Sequence, residues 1–406
     1  MDPISIALIL VGGLTLGIAA CSVWLERAPV SAPLLALVAG FAAGPQVLDW
    51  IDPASWRGQK TVLVEEAARF TLAIGLMGVA LRIPAATLRR RWKSLAVLLL
   101  VAMPISMLIT GGLTTTLLSE PWLLALLIGA IAAPTDPVVA SSIVTGRLAE
   151  SHLPLRLRRI ISAESGLNDG LAFPLVWLAI LLVNDHPDGI SHWLTVTLLW
   201  EVGGAIVVGW VLGSLAARAL RHAEARHTIE RTGLLGFTLA LTLLTLGLAK
   251  LLRTDDVLAV FVAGIAFDAV ATRSDRLQEE RIQETVNQFF VIPIFALLGA
   301  VLPVEQWREY GLVLWLWAAS ILLLRRLPVL VLGRRMLRPL LRSTDAAFAG
   351  WFGPIGVAAI FYAALAQRET EQAAVWPLVS ALVVLSVIAH GVTAATAIRW
   401  YSKRRS

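Results

Sequence analysis

Charge and cysteine are both scarce in this chain. Of its 406 residues, 15% are charged and 57% hydrophobic, where a soluble domain carries about 25% charged residues. That shortfall excludes an ordinary soluble enzyme and places most of the chain in a bilayer. A single cysteine, Cys21, excludes an intramolecular disulfide and a cysteine-ligated metal cluster. Only six histidines are present, and none form a His-x-x-x-His pair, so an intramembrane metallohydrolase lacks its ligands. Residues 1–10 lack the basic stretch of a cleaved signal peptide and are expected to open a first span. No soluble domain, linker or low-complexity tail is expected. The net charge of +6 does not mark a nucleic-acid binder, because the basic residues alternate with apolar runs.

A crossing helix needs about 20 mostly apolar residues. Thirteen runs qualify, at roughly 4–24, 31–49, 64–81, 94–118, 122–144, 160–183, 192–217, 232–252, 256–272, 285–302, 309–332, 345–367 and 373–398. Backbone at membrane depth must satisfy itself, so helices are expected throughout. With the N-terminus outside, the outer segments keep Arg57, Lys60, Arg69, Lys250, Arg253, Arg308 and Arg368. The other 27 of the 34 Lys and Arg fall on the inner side, loop by loop. That asymmetry predicts a multi-pass cell-membrane protein, bacterial inner membrane in type, with an inner C-terminus.

Two runs are interrupted near their middles. The fifth contains Ala133-Pro134-Thr135-Asp136-Pro137, where two prolines remove backbone donors. Asp136 followed by Pro137 reads as an N-cap with proline at the first helical position. The twelfth contains Gly350-Trp351-Phe352-Gly353-Pro354-Ile355-Gly356. The two lie seven spans apart, and an odd offset inverts the second copy relative to the first. Matching interruptions in two inverted halves mark a transporter's binding site; the plainer alternative is a pair of kinked, packed helices.

The next run carries Glu164, Ser165, Asn168 and Asp169. Carboxylates at membrane depth are costly and functional by default. Glu164 and Asn168 are four apart and share a helix face, and Asp169 is turned by about 100° from Asn168. A hard monovalent cation takes oxygen ligands, which Asp169, Asp136, Thr135, Ser165 and freed carbonyls would supply. Burial and a neighbouring like charge both disfavour an ionised carboxylate, so a proton and a sodium ion would compete for Asp169. With Asn168 in place of a second acid, one carboxylate exchanges one charge for one charge. Asp136 as a plain cap and Asn168 as an interhelical hydrogen bond are the structural alternatives. Glu164 reads as an ion-pair member, with Arg325 or Arg326 as the available cations.

At these residues the chain resembles the monovalent cation/proton antiporter family, which includes NhaP exchangers and eukaryotic sodium/proton exchangers. It is most similar to the fungal plasma-membrane branch and its bacterial relatives. The motifs that carry the likeness are Thr135-Asp136-Pro137-Val138, Glu164-Ser165-Gly166-Leu167-Asn168-Asp169-Gly170 with Phe173-Pro174, and Phe352-Gly353-Pro354-Ile355-Gly356-Val357. The resemblance implies an all-α, NhaA/NhaP-like fold of about 13 helices, with two inverted repeats and crossed broken helices. It implies a homodimer whose dimerisation domain (1–90 and 186–304, the latter with a linker) flanks a mobile core (91–185 and 305–406). It also implies Asp169 as carrier, Asn168 beside it, and Thr135 and Asp136 at the crossing. Glu164 would pair with Arg326, Arg325 being the alternative. Many relatives have an arginine in the twelfth-span motif and an acid on the third span. Here that position is Ile355, and Thr71–Leu81 contains no acid, so both partners are absent together.

Three further ionisable sites are singled out. Asp255 and Asp256 read equally as an exposed outer pair that attracts cations and as a helix cap with a first-turn acid. Asp268 is expected near the inner interface. His390 is expected to be a hydrogen-bonded structural residue rather than a pH modulator. The implied activity is exchange of sodium or lithium for protons, with no cofactor beyond the transported ions. Potassium/proton exchange and sodium-coupled symport of an organic anion are the alternatives. The second of these would favour polar or basic side chains where this chain clusters acids. No repeated selectivity loop supports a channel.

Overall fold

The computed structural model describes residues 3–21, 30–56, 58–136, 139, 147–226, 233–270 and 289–404, and among these every regular element is helical. In chain order the helices used below are α1 (Pro3–Ala20), α2 (Ala32–Ala43), α3 (Lys60–Arg82), α4 (Ala85–Val97), α5 (Met103–Leu118) and α6 (Trp122–Ala132). There follow α7 (Leu155–Leu171), α8 (Phe173–Val183), α9 (Gly203–Ala225), α10 (Gly233–Leu251) and α11 (Asp256–Val270). The last are α12 (Phe289–Ala300), α13 (Val304–Tyr310), α14 (Leu312–Leu324), α15 (Leu327–Gly333), α16 (Ser343–Trp351), α17 (Val357–Thr370) and α18 (Val375–Lys403).

Five described helices are each long and apolar enough to cross a bilayer: Ala86–Leu118, Leu155–Val183, Gly189–Ala223, Leu312–Met336 and Val375–Lys403. A sixth candidate is α12 with α13, bent by 62° at the break between them. Local chemistry explains why other apolar runs are not single helices. The run at 31–49 is expected to be one span, but its helix stops at Ala43. Gly44 there is extended, and the N–H groups of Leu48, Trp50 and Ile51 turn back onto the carbonyls of Ala42 and Ala43. Twelve helical residues cover about 18 Å, short of the roughly 30 Å hydrocarbon layer. The fifth run yields α6 of 11 residues, and the twelfth divides into α16 of 9 and α17 of 14.

Proline shapes two of the long helices without ending them. Pro104 has no N–H for the carbonyl of Leu100, and Leu98–Ala102 is a π turn joining α4 to α5. Pro174 likewise leaves Gly170 without its donor, and the chain bends at Ala172 between α7 and α8. Helix α3 is buried without interruption from Thr71 to Ala80. It packs against α11 and α17, while α9 packs on α11 and α5 on α6. Helices α3 and α11 also pack against α7, which carries the acidic motif.

Candidate functional site

The two interrupted helices meet at their breaks. The N–H of Asp136 donates to the carbonyl of Pro354 at 2.8 Å. One carboxylate oxygen of Asp136 accepts from the N–H of Val357, the first residue of α17, and the other accepts from the N–H of Val139 at 3.2 Å. A single anion therefore caps two chain segments whose backbone donors point at it. Gly356 makes this approach possible, because a β-carbon there would overlap the Asp136 carboxylate. Pro134 lies at the end of α6, as expected from its missing donor. Pro137 lies outside the described residues.

The opposite poles of the half-helices meet a cation. Arg325 is fully buried and donates to the carbonyls of Ala132 and Ala133 at the end of α6 and to the carbonyl of Gly353 beyond α16. Those carbonyls have lost their intrahelical partners, and a guanidinium has enough donors for both ends. Arg326, one residue on, turns the other way. Its two terminal nitrogens reach the two oxygens of Glu164 at 2.6 and 2.5 Å, and its Nε donates to the Ala349 carbonyl at 3.2 Å. Of the two arginines considered for Glu164, the structure brings Arg326 to it and places Arg325 on the broken helices. A β-carbon at Gly353 would lie 2.8 Å from Thr135 Cγ2 and overlap the Arg326 side chain, so this break also needs its glycine.

Asn168 joins α7 to the first break. Its Nδ2 donates to Thr135 Oγ1 at 2.8 Å and to Glu164 Oε1 at 3.1 Å, and its Oδ1 accepts from the Thr135 N–H at 3.1 Å. The hydroxyls of Thr135 and Ser165 lie 3.0 Å apart. Every polar group of Asn168 is thus engaged with a neighbour named in the motif. Asp169 differs. It is 0% exposed, and neither carboxylate oxygen meets a hydrogen-bond partner among the described residues. Its backbone carbonyl accepts from the hydroxyl of Tyr362 on α17 at 2.9 Å. The arrangement offers a cation one uncommitted carboxylate with hydroxyl oxygens nearby on the same helix face and at the break. Nothing in it resembles the thiolate and imidazole set of a transition-metal site.

Asp255 and Asp256 are not an exposed pair, because each is 5% exposed. Asp255 Oδ1 accepts from the Leu258 N–H at 3.0 Å, the cap geometry of α11, and Asp256 Oδ2 pairs with Arg69 at 2.7 Å. The packing of α9 and α3 on α11 covers them, which composition alone did not reveal. Asp268, near the end of α11, is buried as well. The ring nitrogens of His390 lie 2.8 Å from the carbonyls of Ser386 and Trp351, and Ser386 Oγ accepts from the Ile355 N–H at 2.8 Å. These contacts brace the second break. Tyr362 and the Glu65–Arg69–Arg368 cluster described below were not singled out from sequence. A lone tyrosine in an apolar run carries no pattern, and charges near span ends read as loop charge.

Two breaks, one at the end of α6 and one between α16 and α17, meet beside a buried acidic helix, as in a polytopic transporter-type bundle. The family description "Sodium/hydrogen exchanger, transmembrane" matches residues 11–400. The chain is 32% identical over 409 residues to Na(+)/H(+) antiporter 2 of Zygosaccharomyces rouxii, covering 90% of this chain and 49% of that protein. It is 30% identical over 427 residues to the Na(+)/H(+) antiporter of Schizosaccharomyces pombe, covering 98% and 91%. It spans about half the length of several such curated relatives. The fold is similar to that of the sodium proton antiporter MjNhaP1 from Methanocaldococcus jannaschii, with a TM-score of 0.74 at 20% identity, covering 98% of this chain and 99% of that one. The chain belongs to the sodium/hydrogen exchanger family.

Proposed function

We propose that this protein exchanges sodium or lithium for protons, one for one, with Asp169 holding either ion in turn. The observation that carries the reading is the Asp169 carboxylate, fully buried and without a hydrogen-bond partner among the described residues, while the neighbouring acids Glu164 and Asp136 are committed elsewhere. Glu164 is held by Arg326 and Asn168, and Asp136 by backbone donors. An ionised, empty Asp169 is costly to carry through an apolar interior. With a proton or a monovalent cation bound, it is neutral. Only the loaded forms then cross, which couples one flux to the other. A single uncommitted carboxylate moves one charge in each direction, so the cycle is electroneutral.

The relatives named Na(+)/H(+) antiporter support sodium as the cation. Potassium/proton exchange is the second reading, supported by a K(+)/H(+) antiporter NhaP2 of Shewanella oneidensis, 25% identical over 82% of this chain. Loop charge supports thirteen crossings with the N-terminus outside and the C-terminus inside, in a cell membrane. The family resemblance supports a homodimer, with residues 1–90 and 186–304 as the dimerisation side and 91–185 and 305–406 as the core. Proteoliposomes containing a pH dye test the function with sodium, lithium and potassium in turn. Sodium and lithium are expected to discharge a proton gradient, and Asp169→Asn to abolish the response. Full activity in that variant would remove Asp169 from the carrier role. A response to potassium alone would select the second reading.

A further inference from the structure

The α3–α17 seam carries a cluster of ionic side chains that the site above does not use. Glu65 on α3 accepts from Arg368 at the end of α17 through both oxygens, at 2.8 Å from Nε and 3.1 Å from Nη2. It also accepts from Arg69, one turn along α3, at 2.6 Å. Arg69 bridges onward to Asp256 on α11 at 2.7 Å, and Glu66 takes Lys250 of α10 at 2.7 Å. Among the described ion pairs, Arg368 to Glu65 is the one that joins α17 to α3. The others in this cluster tie α3 to itself, to α10 and to α11.

The same seam holds a small cleft of about 60 Å³, with Thr61 and Val64 on the α3 side and Ala364 and Gln367 on the α17 side. Gln367 and Tyr362 are five residues apart on α17, about 7.5 Å along the helix axis. The Tyr362 hydroxyl is bonded to the backbone of Asp169, its ring is 4.8 Å from that of Phe361, and Arg69 lies over Phe361 at 4.9 Å. Through Arg69 the ionic cluster reaches the ring next to Tyr362, and the cleft lies further out on the same helix.

We infer that Glu65 and Arg368 form a latch that holds the α3–α17 seam shut and releases when the site opens toward the α3 N-terminal end. The latch rests on the exchange reading given above. Its partners are arranged for release. Breaking a buried pair is costly when it strands a charge. Here Glu65 would keep Arg69, while Arg368 is 43% exposed at its side chain and keeps Glu369 at 2.6 Å. Neither charge is orphaned when the seam parts. The Glu164–Arg326 pair offers no such alternative, since both side chains are buried and Glu164 has no second cation among the described contacts. One pair is built to stay and the other to exchange.

Two measurements on the full chain in a Cys21→Ala background test the latch. In the first, Thr61→Cys is labelled in detergent by a water-soluble maleimide, with and without Arg368→Gln. Labelling is expected to speed up by about fivefold or more when the latch is removed, and by a similar factor with Glu65→Gln. An unchanged rate in both variants overturns the inference. In the second, Thr61→Cys with Gln367→Cys is oxidised across the cleft and reconstituted. Exchange is expected to fall about tenfold or more and return on reduction. A cross-linked protein that exchanges at the reduced rate also overturns it. If the reduced protein exchanges no ion at all, the function reading fails instead, and the labelling rates still report on the latch.

Discussion

Glu164 and Asp169 sit on one buried helix and meet opposite environments. Glu164 receives a two-pronged arginine and an amide, whereas the Asp169 side chain receives no hydrogen bond from the described residues. On the proposed reading, this difference gives bracing to the first and ion carriage to the second. Glu164→Gln should leave Arg326 buried without its counter-charge and cost about 3–5 kcal/mol. A lowered melting temperature in detergent checks this, and a further change of Arg326→Met should recover part of the loss. An unchanged melting temperature in Glu164→Gln would show that the pair braces nothing. The acids were legible in the sequence because they interrupt apolar runs. The residues alone left Arg325 and Arg326 open, and only the family resemblance implied Arg326, since neighbouring residues point about 100° apart and the turn between α14 and α15 sets which one faces Glu164. Tyr362 was invisible for another reason: its role rests on a hydroxyl meeting a backbone carbonyl on a distant helix.

At the scale of the elements, the two breaks work because their poles are matched. Asp136 serves the N–H groups of Val139 and of the first residue of α17, and Arg325 the carbonyl ends of α6 and α16. Gly356→Ala should push the Asp136 carboxylate off the first turn of α17, with an overpacking cost of about 1–3 kcal/mol and loss of exchange. Gly247→Ala, where a β-carbon meets nothing within 4 Å, is the control and should match wild type in both melting and transport. Equal behaviour of the two variants would show that the crossing tolerates a methyl group. The breaks themselves could be read from proline and glycine inside apolar runs. The extent of α2 could not, because a window of apolar residues hides the extended Gly44 and the return of the chain onto Ala42 and Ala43. The burial of Asp255 and Asp256 was equally hidden, since it depends on which helices cover α11.

For the whole molecule, the proposed mechanism lets one carboxylate, uncommitted among the described residues, set both the coupling and the charge balance. Sodium-driven proton movement in proteoliposomes should proceed at the same rate with or without an imposed membrane potential. A current that follows transport would require a second moving charge, for which Asp136 and Glu164 would have to surrender their partners. The shared carrier is tested most directly by counting protons released when sodium binds to purified protein in weak buffer, at a pH where the empty carrier is protonated. Wild type should release about one proton per chain as sodium saturates, and Asp169→Asn should release none. Sodium binding to wild type without proton release, or equal release from the variant, would contradict a single carboxylate that serves both ions.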